Sequence, residues 1–170
     1  MGIKAIQGSI VGTRALERHL REIEKRLGRG AHVRVGFLES ATYPSTGEGA
    51  KRLPVAQVAF WNQYGTVRAP ARPFFTDMIA RKSPRWGVSL GNILRKNGYD
   101  AERSLALMGE GIKGQLQQSI NEWSEPPNAP STVERKGFNK PLIHTALMLR
   151  SVDYQVMTGT EGGDEQRAAA

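Results

Sequence analysis

The spacing of apolar positions along this chain changes several times, and each change marks an element. Leu16, Leu20, Ile23 and Leu27 recur at steps of three and four with charges between them, which predicts an amphipathic, surface-lying helix. Thr13 is placed to cap its start, and Gly28 or Gly30 to end it. In "HVRVGFLE" the period switches to two, with Val33, Val35 and Phe37 facing one way, and the β-branched and aromatic content suits a half-buried strand. The stretch "SATYPSTGEGAKRL", Ser40 to Leu53, has no period and is dense in Ser, Thr, Gly and Pro. It reads as a mobile loop, or as two strand ends joined by one.

Pro54 suits the first turn of a helix over "VAQVAFWNQY", which Gly65 would terminate. Pro70 and Pro73 forbid regular helix until the chain has turned. From Phe74 the apolar pattern resumes through Met78 and Ile79 and continues over "SPRWGVSLGNILRKNG" as one helix or two short ones, with Pro84 as the point of kink. The clearest helix runs from Asp100 to Trp123, where Leu105, Met108, Ile112, Leu116, Ile120 and Trp123 form one stripe. Gly109, Gly111 and Gly114 weaken it by up to about 1 kcal/mol each relative to Ala, so either another backbone comes close there or the helix bends.

After Trp123, "SEPPNAPSTVERKGFNKP" breaks all periodicity and is longer than compact domains normally tolerate, as expected of a segment that lies across a partner or is disordered when alone. Thr145 can cap a short helix, "ALMLRS", and "VDYQV" alternates as a last strand with Val152, Tyr154 and Val156 on one side. There is no internal repeat. These elements predict an α+β fold, a small and mostly antiparallel β-sheet packed against two or three α-helices with long extended loops. Residues 1–157 form a single domain in this reading, and 158–170 a disordered polar tail.

Composition bounds this picture. A chain of 170 residues is long enough for one domain with a real core, and the absence of cysteine excludes a disulfide framework and thiolate metal sites. No apolar run approaches the length of a membrane span, so the expectation is a soluble protein made in the cytoplasm. The formal charge of +8 is unevenly placed. Between Lys51 and Lys96 lie nine basic residues (Lys51, Arg52, Arg68, Arg72, Arg81, Lys82, Arg85, Arg95 and Lys96) against Asp77 alone, and the remainder of the chain is neutral. Such a segment attracts polyanions, either nucleic acid or an acidic protein surface, unless it is only a solvated face.

Catalytic and metal-binding patterns are missing. His19, His32 and His144 have no ligand spacing between them, "GEGAKR" lacks the Gly-Lys-Ser/Thr ending of a phosphate loop, and "GGDEQ" has no strand around it. No Ser follows the elbow pattern of hydrolases, and Asp77 is better suited to a local salt bridge than to acid/base work. Neither an enzyme nor a cofactor or metal site is expected.

What the chain does concentrate is aromatic and arginine side chains, in "WNQYGTVRAPARPFF". Residues of these types carry protein interfaces, and the prolines pre-order the turn between them. Trp61, Tyr64, Arg68, Arg72, Phe74 and Phe75, with Lys136 and Lys140 of the later connection, are the candidate contacts to other polypeptides, although Phe74 and Phe75 can equally be core. Arg72, flanked by Ala71 and Pro73, is expected to meet a carboxylate or carbonyls at a subunit boundary. Arg72→Ala is then expected to spare folding of the subunit and to leave heads and tails unjoined.

The order of "VRVGFLE", "ATYPSTGEGA", "VAQVAFWNQYGT", "APARPFF", "WSEPPNAPSTVERKGFNKPLIHT" and "LRSVDYQV" resembles the tail-completion and neck proteins of long-tailed bacteriophages, including the minor tail protein Z type. The resemblance spans about Val33 to Val156. Gly-Thr followed by Arg-Pro-Phe-Phe, and Lys140 with Pro-Leu-Ile-x-Thr before Leu-Arg-Ser, carry it in combination. Two positions depart from the pattern. Gln63 stands where an acid is expected, which removes a possible charge pair with a neighbouring subunit, and His144-Thr145-Ala146 stands where Asp-Thr-Gly is common.

The resemblance implies a non-enzymatic virion protein. It implies a homo-oligomeric ring, a hexamer or dodecamer, at the head-tail junction of the virion, joining connector or head-closure proteins to the tail terminator or tube after assembly in the host cytoplasm. Genomic DNA could pass such a ring without sequence-specific contact. A tail terminator is the nearest alternative, and a basic nucleic-acid-binding module, with Trp61 or Tyr64 stacking on bases, is the second.

Overall fold

The computed structural model of the chain describes residues 8–28, 30–37, 41–44 and 52–159. Helix α1 (Gly8–Leu27) is followed by strand β1 (Ala31–Phe37), then α2 (Val55–Tyr64), α3 (Phe74–Lys82), a 3-10 turn (Ser83–Arg85), α4 (Trp86–Lys96), α5 (Ala101–Glu122), α6 (Pro130–Lys136), α7 (Leu147–Arg150) and β2 (Val152–Thr158). The two strands form an antiparallel sheet. The fold is α+β as expected, with more helices than two or three.

The register follows from the alternating pattern of each strand. Val33 lies opposite Val156, Val35 opposite Tyr154 and Phe37 opposite Val152, so the six predicted in-facing residues meet as three cross-strand pairs. This face rests on α5. Asp100 caps that helix by accepting from the Arg103 backbone N–H at 3.0 Å, and Trp123 ends it, at the two boundaries expected. Of the predicted stripe, Met108, Leu116 and Ile120 are buried, and Ser104, Gly109 and Ser119 join them. Gly109 is needed because the sheet comes so close: a Cβ there would lie 2.6 Å from Tyr154 Cδ2 and 2.8 Å from Val33 Cγ2, so the close approach is by side chains of the sheet. The main core lies beside it, where Val55 and Ala59 of α2, Phe74 and Met78 of α3, Leu116 and Ile120 of α5, Met148 of α7 and Val152 of β2 close on one another.

Several expectations are corrected. The first helix begins at Gly8, so Thr13 lies inside it and is not its cap. The connection from Ser124 to Pro141 is not aperiodic throughout, because α6 occupies its middle, started by Pro130 and ended by Gly137 in the left-handed conformation. Thr145 does not cap α7. Ala146 precedes that helix at φ 57°, and no side chain caps the helix; instead the Thr145 carbonyl accepts from the Arg150 guanidinium at 2.9 Å. Pro84 ends α3 through the 3-10 turn and lets α4 restart. The ends of the Ser40–Leu53 stretch do pair, with the Tyr43 N–H donating to the Leu53 carbonyl and the Val55 N–H to the Ala41 carbonyl, both at 2.8 Å. Residues 45–51 and 160–170, which include half of the predicted loop and most of the predicted tail, lie outside the described residues.

Candidate assembly surface

The aromatic stretch Trp61 to Phe75 comprises the last turn of α2, a tight turn and the start of α3. Pro54 sets the first turn of α2 with φ −58°, and Gly65 ends it at φ 80°. No other residue fits at Gly65, since a Cβ would lie 2.8 Å from the Ala71 nitrogen and 3.0 Å from the Ala69 oxygen. Thr66 and Ala69 close the turn with paired backbone bonds at 2.8 and 3.3 Å, and the Arg72 N–H then donates to the Asn62 carbonyl at 2.7 Å, tying the returning chain to the helix end. Val67 and Arg68 are left at the exposed tip.

Helix α2 contains no charged residue, yet only one of its faces is covered. Val55, Ala59 and Gln63 point inward. On the other side Phe60 is 60%, Trp61 37% and Tyr64 62% exposed. The Phe60 and Tyr64 rings, one turn apart, lie 4.7 Å centroid to centroid. Between this face, Gly36 and Phe37 of β1 and Phe75 of α3 runs an open, mainly apolar groove of about 310 Å³. A helix that is apolar on all sides belongs in an interior. Half of this one is in solvent.

The predicted interface residues divide into three groups. Trp61, Tyr64 and Arg68 are exposed, and half-buried Phe75 lines the groove, so these remain available to a partner. Phe74 is 1% exposed and belongs to the core. Arg72, 6% exposed, also turns inward; its Nε donates to the Pro126 carbonyl at 3.0 Å and its NH2 to the Pro127 carbonyl at 3.2 Å. It does meet carbonyls, but they belong to its own chain, where they anchor the segment before α6. Folding should therefore depend on it. Burial holds its guanidinium below the usual arginine range.

Lys136 stands near Arg72, and its ammonium is held below the ordinary lysine value by burial and by the neighbouring Arg72 and Arg135. Its Nζ donates to the Lys140 carbonyl and sits 5.0 Å from the centroid of the Phe138 ring. Lys136 and Lys140 thus stabilise the α6 excursion locally and do not line the aromatic groove.

Gln63 also differs from expectation. It is buried, and its amide joins two elements: Oε1 accepts from the Phe75 N–H at 2.9 Å while Nε2 donates to Thr76 Oγ1 at 2.6 Å, which satisfies an otherwise orphaned donor at the start of α3. The Gln63 amide satisfies both partners while leaving no charge in this buried position. Its side chain is not placed to face a neighbouring subunit.

Sequence reasoning passed over Phe60 and Gly36 as site residues. The signal for Phe60 was present, since α2 shows apolar residues on every side. Gly36 had no local signal; only the packing of α2 beside β1 makes it part of the groove. Among the described residues there is no cluster of His, Asp or Glu suited to a metal ion, and no helix long and apolar enough to cross a membrane. Asp77 pairs with Arg81 on the same helix. No protein-family model, curated protein or solved structure matches the chain.

Proposed function

We propose that this chain is a structural subunit of a long-tailed bacteriophage particle, of the tail-completion or neck type, and that it assembles through the α2 groove into a ring at the head-tail junction. The observation that carries this reading is the uncharged helix α2, whose outer face presents Phe60, Trp61 and Tyr64 to solvent beside an apolar groove. Burying two such aromatics on a partner is worth about 1.5–3 kcal/mol each, enough to make them the anchors of an interface. A second surface points the same way. The apolar stripe of α1 is not covered by described residues, with Leu16 and Leu20 more than half exposed. Two uncovered apolar surfaces on one subunit suit a protein that has neighbours on more than one side.

The test is the native mass and negative-stain appearance of the full chain, alone and with Phe60→Glu and Tyr64→Glu. A closed ring that the two substitutions reduce to folded monomers supports the reading. A wild-type protein that stays monomeric at high concentration and binds no head or tail component removes it.

A further inference from the structure

The basic segment read from the sequence is not one patch, and its division isolates a second surface. Arg72 is buried against backbone carbonyls, Arg68 stands at the tip after α2, and Arg81 is paired with Asp77. Lys51 lies outside the described residues and Arg52 stands before α2, which leaves Lys82, Arg85, Arg95 and Lys96 after α2 and its turn, all exposed and none in an ion pair among the described residues. Lys82 ends α3, Arg85 closes the 3-10 turn that follows, and Arg95 and Lys96 form the last turn of α4. Positions 85, 88, 89, 92, 95 and 96 recur at helical spacing, and Val88, Ser89, Asn92, Arg95 and Lys96 are exposed while Leu90, Ile93 and Leu94 are half-buried. The inner side is fastened to α5 by Trp86, whose Nε1 donates to Gln115 Oε1 at 2.9 Å.

We infer that this face of α4 binds the phosphate backbone of double-stranded DNA without regard to sequence. Charge complementarity is the first argument, because α4 carries no acid and none of the four cations is paired with an acid among the described residues. The residues between the cations are the second. Gly87, Ser89 and Asn92 are small or polar and give a phosphate backbone close access to hydroxyl, amide and guanidinium donors. An acidic protein partner would be expected to need aromatic anchors at the centre of the contact, and the aromatic ring of α4 is turned inward, leaving Val88 as the lone large apolar side chain outside. The same lack of an exposed ring disfavours single strands, which are held by base stacking. Eleven residues of α4 span about 16 Å, close to five base-pair steps. The inference does not depend on the ring, since each subunit carries the whole face.

The experiment is fluorescence anisotropy of a short labelled duplex of mixed sequence titrated with the full chain, between about 50 and about 200 mM salt. Four phosphate contacts give a slope of log affinity on log salt near −3.6, a loss of roughly 100-fold over that range. Arg85→Gln lowers the slope by about one. The combined variant Lys82→Gln, Arg85→Gln, Arg95→Gln, Lys96→Gln abolishes salt-dependent binding while its circular dichroism stays native. Arg14→Gln with Arg18→Gln on α1 leaves the slope in place. An unchanged slope in the combined variant, loss of the slope in the α1 variant, or tighter binding to poly-glutamate than to the duplex at equal charge each overturns the inference.

Discussion

Three glycines of α5 should respond to the same substitution with opposite signs. A Cβ at Gly109 would sit 2.6 and 2.8 Å from Tyr154 Cδ2 and Cγ and 2.8 Å from Val33 Cγ2, whereas at Gly111 and Gly114 it would meet nothing within 4 Å. The atoms struck at Gly109 are the root of the Tyr154 ring and a β-branched methyl, so relief requires β1 and β2 to shift away from α5. Overpacking of this kind costs typically about 1–3 kcal/mol. Replacing Gly by Ala in a helix interior returns about 0.8–1.0 kcal/mol, the whole effect at Gly111 and Gly114 and only a partial offset at Gly109. Gly109→Ala is therefore expected to destabilise by up to about 2 kcal/mol, and Gly111→Ala and Gly114→Ala to stabilise by up to about 1 kcal/mol each. Urea unfolding followed by far-ultraviolet circular dichroism reads all three as shifts in midpoint at constant m. Equal midpoints for Gly109→Ala and Gly111→Ala would show that α5 does not rest on the sheet through Gly109.

Arg72→Ala should lower stability by about 1–3 kcal/mol in the same unfolding assay, because it leaves the Pro126 and Pro127 carbonyls without their donors; an unchanged midpoint would restore its side chain to the outer surface. Ala146, held at φ 57°, should gain up to about 1 kcal/mol on change to Gly and lose stability on change to Val, and a loss with Gly contradicts the left-handed geometry. The Asp153 carboxylate is held below its usual value, first by the Tyr154 backbone N–H and then by Lys113. Its contribution is present above the unfolded carboxylate value of about 3.9 and is lost as pH falls through the lower folded value. Asp153→Asn should flatten that acid limb of the melting temperature against pH, and an unaltered limb counts against the interaction.

What was legible in the sequence was what local chemistry decides. The two alternating stretches fix which face of each strand is inward, so the pairing of Val33, Val35 and Phe37 with Val156, Tyr154 and Val152 requires only that they meet. Pro54 with Gly65, and Asp100 with Trp123, mark helix ends through backbone constraints that act within a turn. Helix α6 had such signals too, in Pro130, the basic last turn and Gly137, beneath a composition that suggested loop. Hidden were the contacts whose partners are remote. Nothing near Arg72 points to carbonyls more than fifty residues away, and nothing near Gly109 points to Tyr154. Nothing near Ala146 signals its φ of 57°, a conformation that Gly adopts freely and Ala does not.

The two proposed surfaces obey different physics, which makes them separable in one experiment. The α2 groove is apolar and its helix uncharged, so the contact it makes should persist or strengthen as salt rises. Helix α4 and the residues leading into it offer four cations and no exposed ring, so whatever they hold should be released over the same range. At about 200 mM salt the chain should therefore remain associated and have lost most of its hold on the duplex. Phe60→Glu should reverse this, with monomers at every salt that still bind DNA at low salt through α4. If raising the salt separates the subunits while Phe60→Glu leaves them together, the subunit contact is ionic, and the exposed aromatics of α2 have another purpose.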